Sequence, residues 1–405
     1  MGCNIIIISA DPWAHYTWRR RHHVAWNLAK ENKILFIEPP ISIINPLLDI
    51  GLSWKHLFNL GKLKHQGRNL YSYSPCRFFV SSLPFSKKIN YEELNKKIIF
   101  KKLKHIVDKL GMKDPILWIY YHPYHYDYYG LFNEKIVVAD WYDKFTAQSG
   151  ETKLPDSILN SIKVKEDMIV KNSDIIFTVS EELKKDFVVK HDKVVLVPHG
   201  VDIDSFINVK EPGFFAKKYL KKIKKPVLGF LGLIHNKIDF NLLNYVAESR
   251  QDWSILLIGK KWLTEENSIK SFNELIKRKN VYYTREIKKE FIPYYLNFID
   301  VCLMPFKKVE FNKYTTGPLK LLQYFAAGKP VVAVNQGVKL DYNELIKTAD
   351  TKDEFIKKIE ECLAEIGNKD LIEKRLKIAK ENSWEKRVEE MLELIEGKSY
   401  EYQTN

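Results

Sequence analysis

Short apolar runs alternate with amphipathic stretches along most of the chain. Residues 5–8, 34–37, 116–120, 136–139, 175–179 and 194–197 are brief, rich in Ile, Val and aromatic residues, and bounded by polar or turn residues. That pattern predicts buried strands. Between them, residues 21–30, 92–110 and 159–171 carry apolar residues at helical spacing. Strand and helix in alternation predict a parallel sheet covered on both faces. The pattern lapses at 207–225, where Pro212-Gly213 precedes a lysine-rich run, and this stretch reads as a domain junction. A second alternation follows, with strands expected at 227–231, 254–258, 281–283, 301–304 and 331–334. Its helices are expected at 242–247, 271–277, 291–297 and 319–326, and further helices fill the C-terminal part to Glu396. The expected fold class is therefore α/β, with two doubly wound parallel-sheet domains. In such sheets ligands sit beyond the carboxyl ends of the strands, so a cleft between the two domains is the expected site.

Composition sharpens this picture in three respects. A length of 405 residues supports two domains, and 45% hydrophobic with 29% charged residues excludes wholesale disorder. The four cysteines, at 3, 76, 302 and 362, lack the short paired spacing of a zinc site or a disulfide scaffold. They point to a reducing compartment, and no metal is expected. The formal net charge is +14, and most of the positive charge is lysine. AT-rich coding accounts for an excess of Lys, Ile, Asn and Tyr; an anionic partner is the other reading. Three basic stretches stand out, at 54–64, 96–109 and 217–225. The first two mix Lys with Trp, Phe, Leu and Ile, which suits either a surface lying on anionic lipid or a solvated helix face. Arg is scarce and no recognised nucleic-acid motif occurs, so nucleic acid is not an expected partner. The run from Ile5 to Ser9 is too short for a signal-peptide core, and no apolar run is long enough to span a bilayer. The expected location is the cytoplasm, at most peripheral at the inner face of the membrane.

Candidate chemistry concentrates where strands meet helices. Gly232 ends the 227–231 strand, and the loop after it carries His235 and Lys237. A glycine there lets backbone approach a phosphate, and the following helix N-terminus favours negative charge; the plainer reading is an ordinary turn. Gly259 repeats the arrangement beside Lys260 and Lys261. Residues 317–332 are more specific. Pro318 suits a first helical turn, Leu319 follows it, Lys320 and Gln323 lie on one flank, and Gly328-Lys329-Pro330 ends the helix. Helix-terminal amides there would hold a diphosphate, and a polar side chain a ribose. In the N-terminal half, Arg19-Arg20-Arg21-His22-His23 follows the first strand. Arginines at a helix N-terminus oppose the macrodipole and need a reason. Grip on phosphate or an acidic acceptor by Arg20, His22 and His23 is the functional one.

The 317–332 segment resembles the nucleotide-sugar glycosyltransferases of the two-Rossmann (GT-B) architecture, of the retaining family-four (group 1) type. Val197-Pro198-His199-Gly200-Val201-Asp202 with Phe206, then Glu166, Asp174 and Ser180, are similar to further family motifs. So are Asn280-Val281, Arg285, Pro293, Asp300-Val301, Pro305-Phe306 and Ser383-Trp384-Glu385-Lys386-Arg387. Trp18, Arg20, His22, His23, Glu38-Pro39-Pro40 and Asp140-Trp141-Tyr142-Asp143 resemble the teichuronic-acid-type branch. The resemblance implies an acceptor-side domain over 1–206, a nucleotide-sugar domain over 207–382, and a crossover helix and tail over 383–405. It implies a nucleoside diphosphate sugar as donor, a glycan or lipid-linked glycan as acceptor, retention of configuration, and no cofactor. The donor set it implies is Gly232, His235, Lys237, Gly259, Lys260, Arg285, Thr315, Thr316, Gly317, Pro318, Leu319, Lys320 and Gln323. By strand order, the catalytic position next to the transferred sugar falls at Asp143, with Asp140 adjacent and His122 a further candidate. A carboxylate there would stabilise an oxocarbenium-like transition state or take the acceptor proton. The plainer readings are a helix cap or Lys partner for Asp140 and a loop histidine for His122.

The chain departs from the family at Thr315 and Gln323, which stand where two glutamates are usual, and at His235-Asn236-Lys237, where an arginine is usual. Gln keeps one hydrogen bond and loses the charge-assisted strength of a carboxylate. Backbone amides of Thr316 and Gly317 could take over the role of the first glutamate. A catalytically degenerate partner subunit is therefore the rival reading, and a nucleotide-sugar epimerase a weaker one. A dinucleotide oxidoreductase ranks low, because Ser9-Ala10-Asp11 stands where a Gly-x-Gly-x-x-Gly turn would be needed.

Overall fold

The computed structural model describes the chain apart from residues 1, 15–17, 43–59, 79–89, 122–126, 145–155, 309–318, 336–341, 343 and 398–405. All the apolar runs of the N-terminal half become strands of one eight-stranded sheet. Its order is Val194–Leu196, Ile175–Thr178, Ile136–Trp141, Ile116–Ile119, Asn4–Ile8, Lys33–Ile37, Leu70–Tyr73 and Leu63–Gly67. The pairings are parallel except the last, in which Leu63–Gly67 runs antiparallel to Leu70–Tyr73 and closes the edge. Ile5, Ile6 and Ile7 are fully buried, which is why this strand reads as an unbroken apolar run. The basic stretch at 54–64 thus ends in an edge strand that its composition did not reveal, and residues 54–59 lie outside the described residues.

The C-terminal half builds a six-stranded, all-parallel sheet in the order Val281–Thr284, Ser254–Ile258, Val227–Leu231, Val301–Met304, Val331–Val334 and Ile346–Ala349. Side chains of strand Val227–Leu231 alternate between two cores. Leu228 and Phe230 pack with Leu242, Leu243 and Val246 of helix Phe240–Ser249. Val227 and Leu231 pack on the opposite side with Tyr324 and Phe325 of helix Leu319–Ala326.

One device recurs in both sheets. Asp174 accepts from the Val137 amide at 2.7 Å, and Asp300 accepts from the Val227 amide at 2.7 Å. Each carboxylate sits just before a strand and fixes the start of the neighbouring parallel strand. Ser180 caps helix Glu181–Val188 by accepting from the Leu183 amide at 3.3 Å.

By contacts the chain divides into two compact units, residues 1–198 with 388–405, and residues 199–387. The division falls at Pro198/His199. Val201 belongs to the second unit because its amide donates to the Asn382 carbonyl at 3.0 Å and its carbonyl accepts from Trp384 at 3.1 Å. A Cβ on Gly200 would stand 2.8 Å from the Trp384 nitrogen, so the backbones approach as only glycine allows there. The lysine-rich stretch at 207–225 is structured: helix Phe214–Leu220 and Ile223 send Leu220 and Ile223 into the second unit's core. Helix Trp384–Ile395 begins in the second unit, and its residues from Val388 onward group with the first.

Candidate functional site

In the second unit the strand order reverses at Val227–Leu231, which has Ser254–Ile258 on one side and Val301–Met304 on the other. Such a switch point leaves a crevice beyond the strands' carboxyl ends. Gly232 and Gly259 stand at that end, at φ +143° and +148°, where side-chain-bearing residues are strained. The Gly232 amide donates to the Ile258 carbonyl at 2.8 Å. A Cβ on Gly259 would lie 1.9 Å from the Gly232 oxygen. A Cβ on Gly232 would lie 2.2 Å from Cε of Lys320 and 2.6 Å from its Nζ. The space that Gly232 leaves open is therefore occupied by the end of the Lys320 side chain. Gly259→Ala is expected to cost at least about 3 kcal/mol, strain and overpacking together, read as a lower urea midpoint.

Lys320 lies in the first turn of helix Leu319–Ala326. That helix is tied to the strand end by Tyr324, whose hydroxyl accepts from the Leu231 amide at 3.1 Å. The Lys320 ammonium sits 4.6 Å from the centre of the Phe230 ring and 4.9 Å from that of Phe306. Burial, followed by the like charge of Lys237, lowers its pKa from 10.5 to about 8. Among the described residues no carboxylate forms an ion pair with it.

His235 stacks on Phe306, with ring centres 6.2 Å apart and 12° between planes. Burial, then Lys320 and Lys237, push its pKa down to about 3, so it is neutral at physiological pH. Its Nδ1 accepts from the Lys237 amide at 3.1 Å, which leaves the proton on Nε2 as a neutral donor. The loop itself is held rigidly. Asn236 donates to the Thr264 hydroxyl at 2.6 Å and accepts from the Thr264 amide at 3.1 Å. Lys307 donates its amide to the Lys237 carbonyl at 2.8 Å, and Asp239 caps the next helix through the Leu242 amide at 2.9 Å. Half-buried Gln323 lies one turn beyond Lys320, and Leu319 is half-buried beside it. Lys260 and Arg285 are exposed. Thr315, Thr316, Gly317 and Pro318 lie outside the described residues.

The structure thus places Gly232, His235, Lys237, Gly259 and Lys320 close to one another. It adds the aromatic floor of Phe230 and Phe306 and the Asn236 clamp, to which no spacing pointed. Two cations, a neutral N–H donor and a helix N-terminus at one switch point are chemically suited to an anion such as a diphosphate.

In the first unit, Arg20 and Asp140 find each other. The Arg20 Nε donates to both Asp140 oxygens, at 2.8 and 2.9 Å, and both side chains are almost fully buried. Arg20 also donates to the Pro198 carbonyl at 3.0 Å. Arg21 pairs with Asp11 at 3.0 Å and lies 4.4 Å from the centre of the Tyr142 ring. Two aspartates, Asp140 in strand Ile136–Trp141 and Asp11 just beyond strand Asn4–Ile8, therefore supply the reason for arginines at this helix start. His22 is fully buried; its Nδ1 accepts from the Arg19 amide at 3.2 Å, and its Nε2 lies 3.0 Å from the Pro12 carbonyl. His23 packs edge-on against Trp18 at 5.4 Å. Asp143 is half-buried just beyond strand Ile136–Trp141, its Oδ1 accepting from the Lys144 amide at 2.9 Å. His122 lies outside the described residues. Among the described residues no group of three or more His, Cys, Asp or Glu is placed to hold a metal ion, and no helix is long and apolar enough to cross a membrane.

Two Rossmann-like parallel-sheet units in one chain form the GT-B architecture, and solved GT-B structures match along nearly the whole length. Sucrose-phosphate synthase from Thermosynechococcus elongatus superposes with a TM-score of 0.64 at 14% identity, covering 98% of each chain. Anabaena HepE in complex with UDP and glucose gives 0.63 at 11% identity, covering 97% of this chain and 99% of its own. Residues 225–365, the sheet that carries the Gly232–Lys320 site, match the family model described as glycosyl transferases group 1. A relative from Bacillus subtilis (strain 168), TuaH, named as a glycosyltransferase of teichuronic acid biosynthesis, is 31% identical over 265 residues. That alignment spans 63% of this chain and 65% of the relative's length.

Proposed function

We propose that the chain is a glycosyltransferase that takes a sugar from a nucleoside diphosphate sugar and passes it, with retention, to a cell-surface glycan or a lipid-linked glycan. The observation that carries this reading is Lys320, a half-buried lysine whose ammonium lies against Phe230 and Phe306 without a carboxylate partner among the described residues, set beside Lys237, His235 and a helix start. A charge kept in that position at the expense of its solvation suits an anionic ligand better than it suits the fold. The group 1 match over 225–365 and the relative from Bacillus subtilis support the same reading. Asp143 is assigned the acceptor side, as proton acceptor or as the carboxylate facing the oxocarbenium-like centre.

A screen of nucleoside diphosphates and their sugars by thermal shift tests the donor half. A bound nucleotide at a hundred times its Kd adds about 2.7 kcal/mol of stability, and a screen with no shift overturns the reading. Asp143→Ala is expected to lower kcat by about a hundredfold or more at unchanged nucleotide affinity. The departures at Thr315 and Gln323 favour a second reading, a partner subunit that binds nucleotide or glycan without turnover. Gln323→Glu separates the two: a transferase gains or keeps turnover, whereas a subunit shows none in either form.

A further inference from the structure

Helix Phe214–Leu220 shows an unusual outward face. Phe214 and Phe215 are 71% and 85% exposed, with ring centres 5.7 Å apart at 75°. The helix is anchored from its other side: Leu220 is buried in the second unit's core, with Ala216 and Tyr219 packed against it. At helical spacing, Phe214, Phe215, Lys218, Lys221 and Lys222 therefore share the outward side, and all five are exposed. Lys224 is exposed just beyond. Between residues 207 and 225 the sequence has seven lysines and a single acidic residue, Glu211, which pairs with Lys217. Lys225 pairs with Asp300. Lys218, Lys221, Lys222 and Lys224 enter no ion pair among the described residues.

We propose that this face, Phe214 and Phe215 with Lys218, Lys221 and Lys222, is a docking surface for an anionic lipid bilayer. Two adjacent exposed aromatic rings on a rigidly anchored turn are a wedge for the headgroup–acyl boundary, where rings gain apolar burial. Lysines one and two turns on then stand level with headgroup phosphates, and each strengthens partition by about fivefold near an anionic surface. Charge complementarity favours lipid over a second copy of this chain, because the patch would face its own like charge in a symmetric pair. The surface belongs to the unit that carries the Gly232–Lys320 site, and the proposal does not depend on that site's chemistry.

The basic helix Tyr91–Lys109 is the competing surface and serves as control. Its exposed apolar residues, Leu94 and Ile98, are each only 37% exposed. Full-length protein is mixed with phosphatidylcholine vesicles with and without phosphatidylglycerol, and bound protein is measured by flotation. Binding is expected only with phosphatidylglycerol and weakens as salt shortens the screening length from about 10 Å at 0.1 M to about 3 Å at 1 M. Phe214→Ser with Phe215→Ser is expected to reduce partition at least tenfold, and Lys218→Glu with Lys222→Glu at least as much. Thermal midpoints should not move, because these side chains are exposed. Leu94→Ser with Ile98→Ser should leave partition unchanged. Three outcomes overturn the proposal: no binding of the unaltered protein to anionic vesicles, equal binding by the phenylalanine variant, or loss of binding in the Leu94/Ile98 variant alone. A dimer in solution that the phenylalanine variant dissociates also overturns it and assigns the face to a second copy.

Discussion

Lys320→Met is expected to weaken nucleoside diphosphate binding by thirty- to a thousandfold while leaving the protein as stable as before, or more so. The loss corresponds to about 2–4 kcal/mol, the usual cost of removing one partner from an enclosed charge pair. Retained stability follows from what the ammonium does in the free protein. It lies half-buried against Phe230 and Phe306 beside the like charge of Lys237, and among the described residues no carboxylate forms an ion pair with it. Methionine fills the same volume without a charge to desolvate.

The pH dependence has two opposite signs. In the free protein Lys320 loses its proton near pH 8, whereas the unfolded chain keeps it to about 10.5. Between those values the unfolded state binds more protons, so this group makes stability rise with pH. If Lys320 holds the diphosphate of a nucleoside diphosphate sugar, whose own charge is constant over this range, affinity should be flat below about pH 8 and fall by up to tenfold per unit above it. Titration calorimetry across pH 6–9.5, roughly spanning that pKa, shows the fall in the unaltered protein and its absence in Lys320→Met. Equal affinity in the two proteins would remove Lys320 from the site.

Most of the fold was legible because the sheets are parallel and fully covered. A strand such as Asn4–Ile8 must be apolar on both faces, and nothing else in the chain looks like that. The strands that escaped lack an unbroken apolar run: Leu70–Tyr73 is an interior strand, but it is short and has Ser72 within it. Leu63–Gly67 is an antiparallel edge strand with Lys64, His65 and Gln66 in it, and Ile346–Ala349 carries Lys347 and Thr348 on the other sheet's edge. Several residues that carried the family resemblance turn out to build the fold. Asp174 and Asp300 fix strand starts, Ser180 caps a helix, and Gly200 admits the Trp384 backbone. A family motif therefore mixes chemistry with scaffolding, and only the partners of each side chain sort one from the other.

The candidate site at Gly232 and Lys320 was legible as a set of positions and not as an environment. Gly232, Lys237 and Lys320 are visible in sequence because a strand end, a loop and a helix start have local signals. That Lys320 rests on two aromatic rings and fills the space left by Gly232 depends on contacts across 88 residues of chain separating the two. His235 is similar. Its neutrality comes from burial beside two cations, and no spacing rule reports that.

Asp140→Ala is expected to destabilise the first unit by about 3–5 kcal/mol, because it leaves the buried Arg20 guanidinium without its carboxylate. The sequence offered Asp140 as a catalytic carboxylate and Arg20 as an acceptor grip. The geometry makes each the partner of the other, with the two Asp140 oxygens taken by one Arg20 nitrogen. A pair of this kind contributes little net stability, since the attraction mostly offsets desolvation, but breaking it from one side is severe. The double variant Arg20→Met with Asp140→Leu should therefore recover most of what Asp140→Ala loses. Urea unfolding followed by circular dichroism checks this, with nucleotide affinity measured on the same proteins. If the pair is scaffolding, midpoints follow the cycle and nucleotide binding, made in the other unit, stays constant. If Asp140 also acts in transfer, the double variant recovers its midpoint but kcat stays lost.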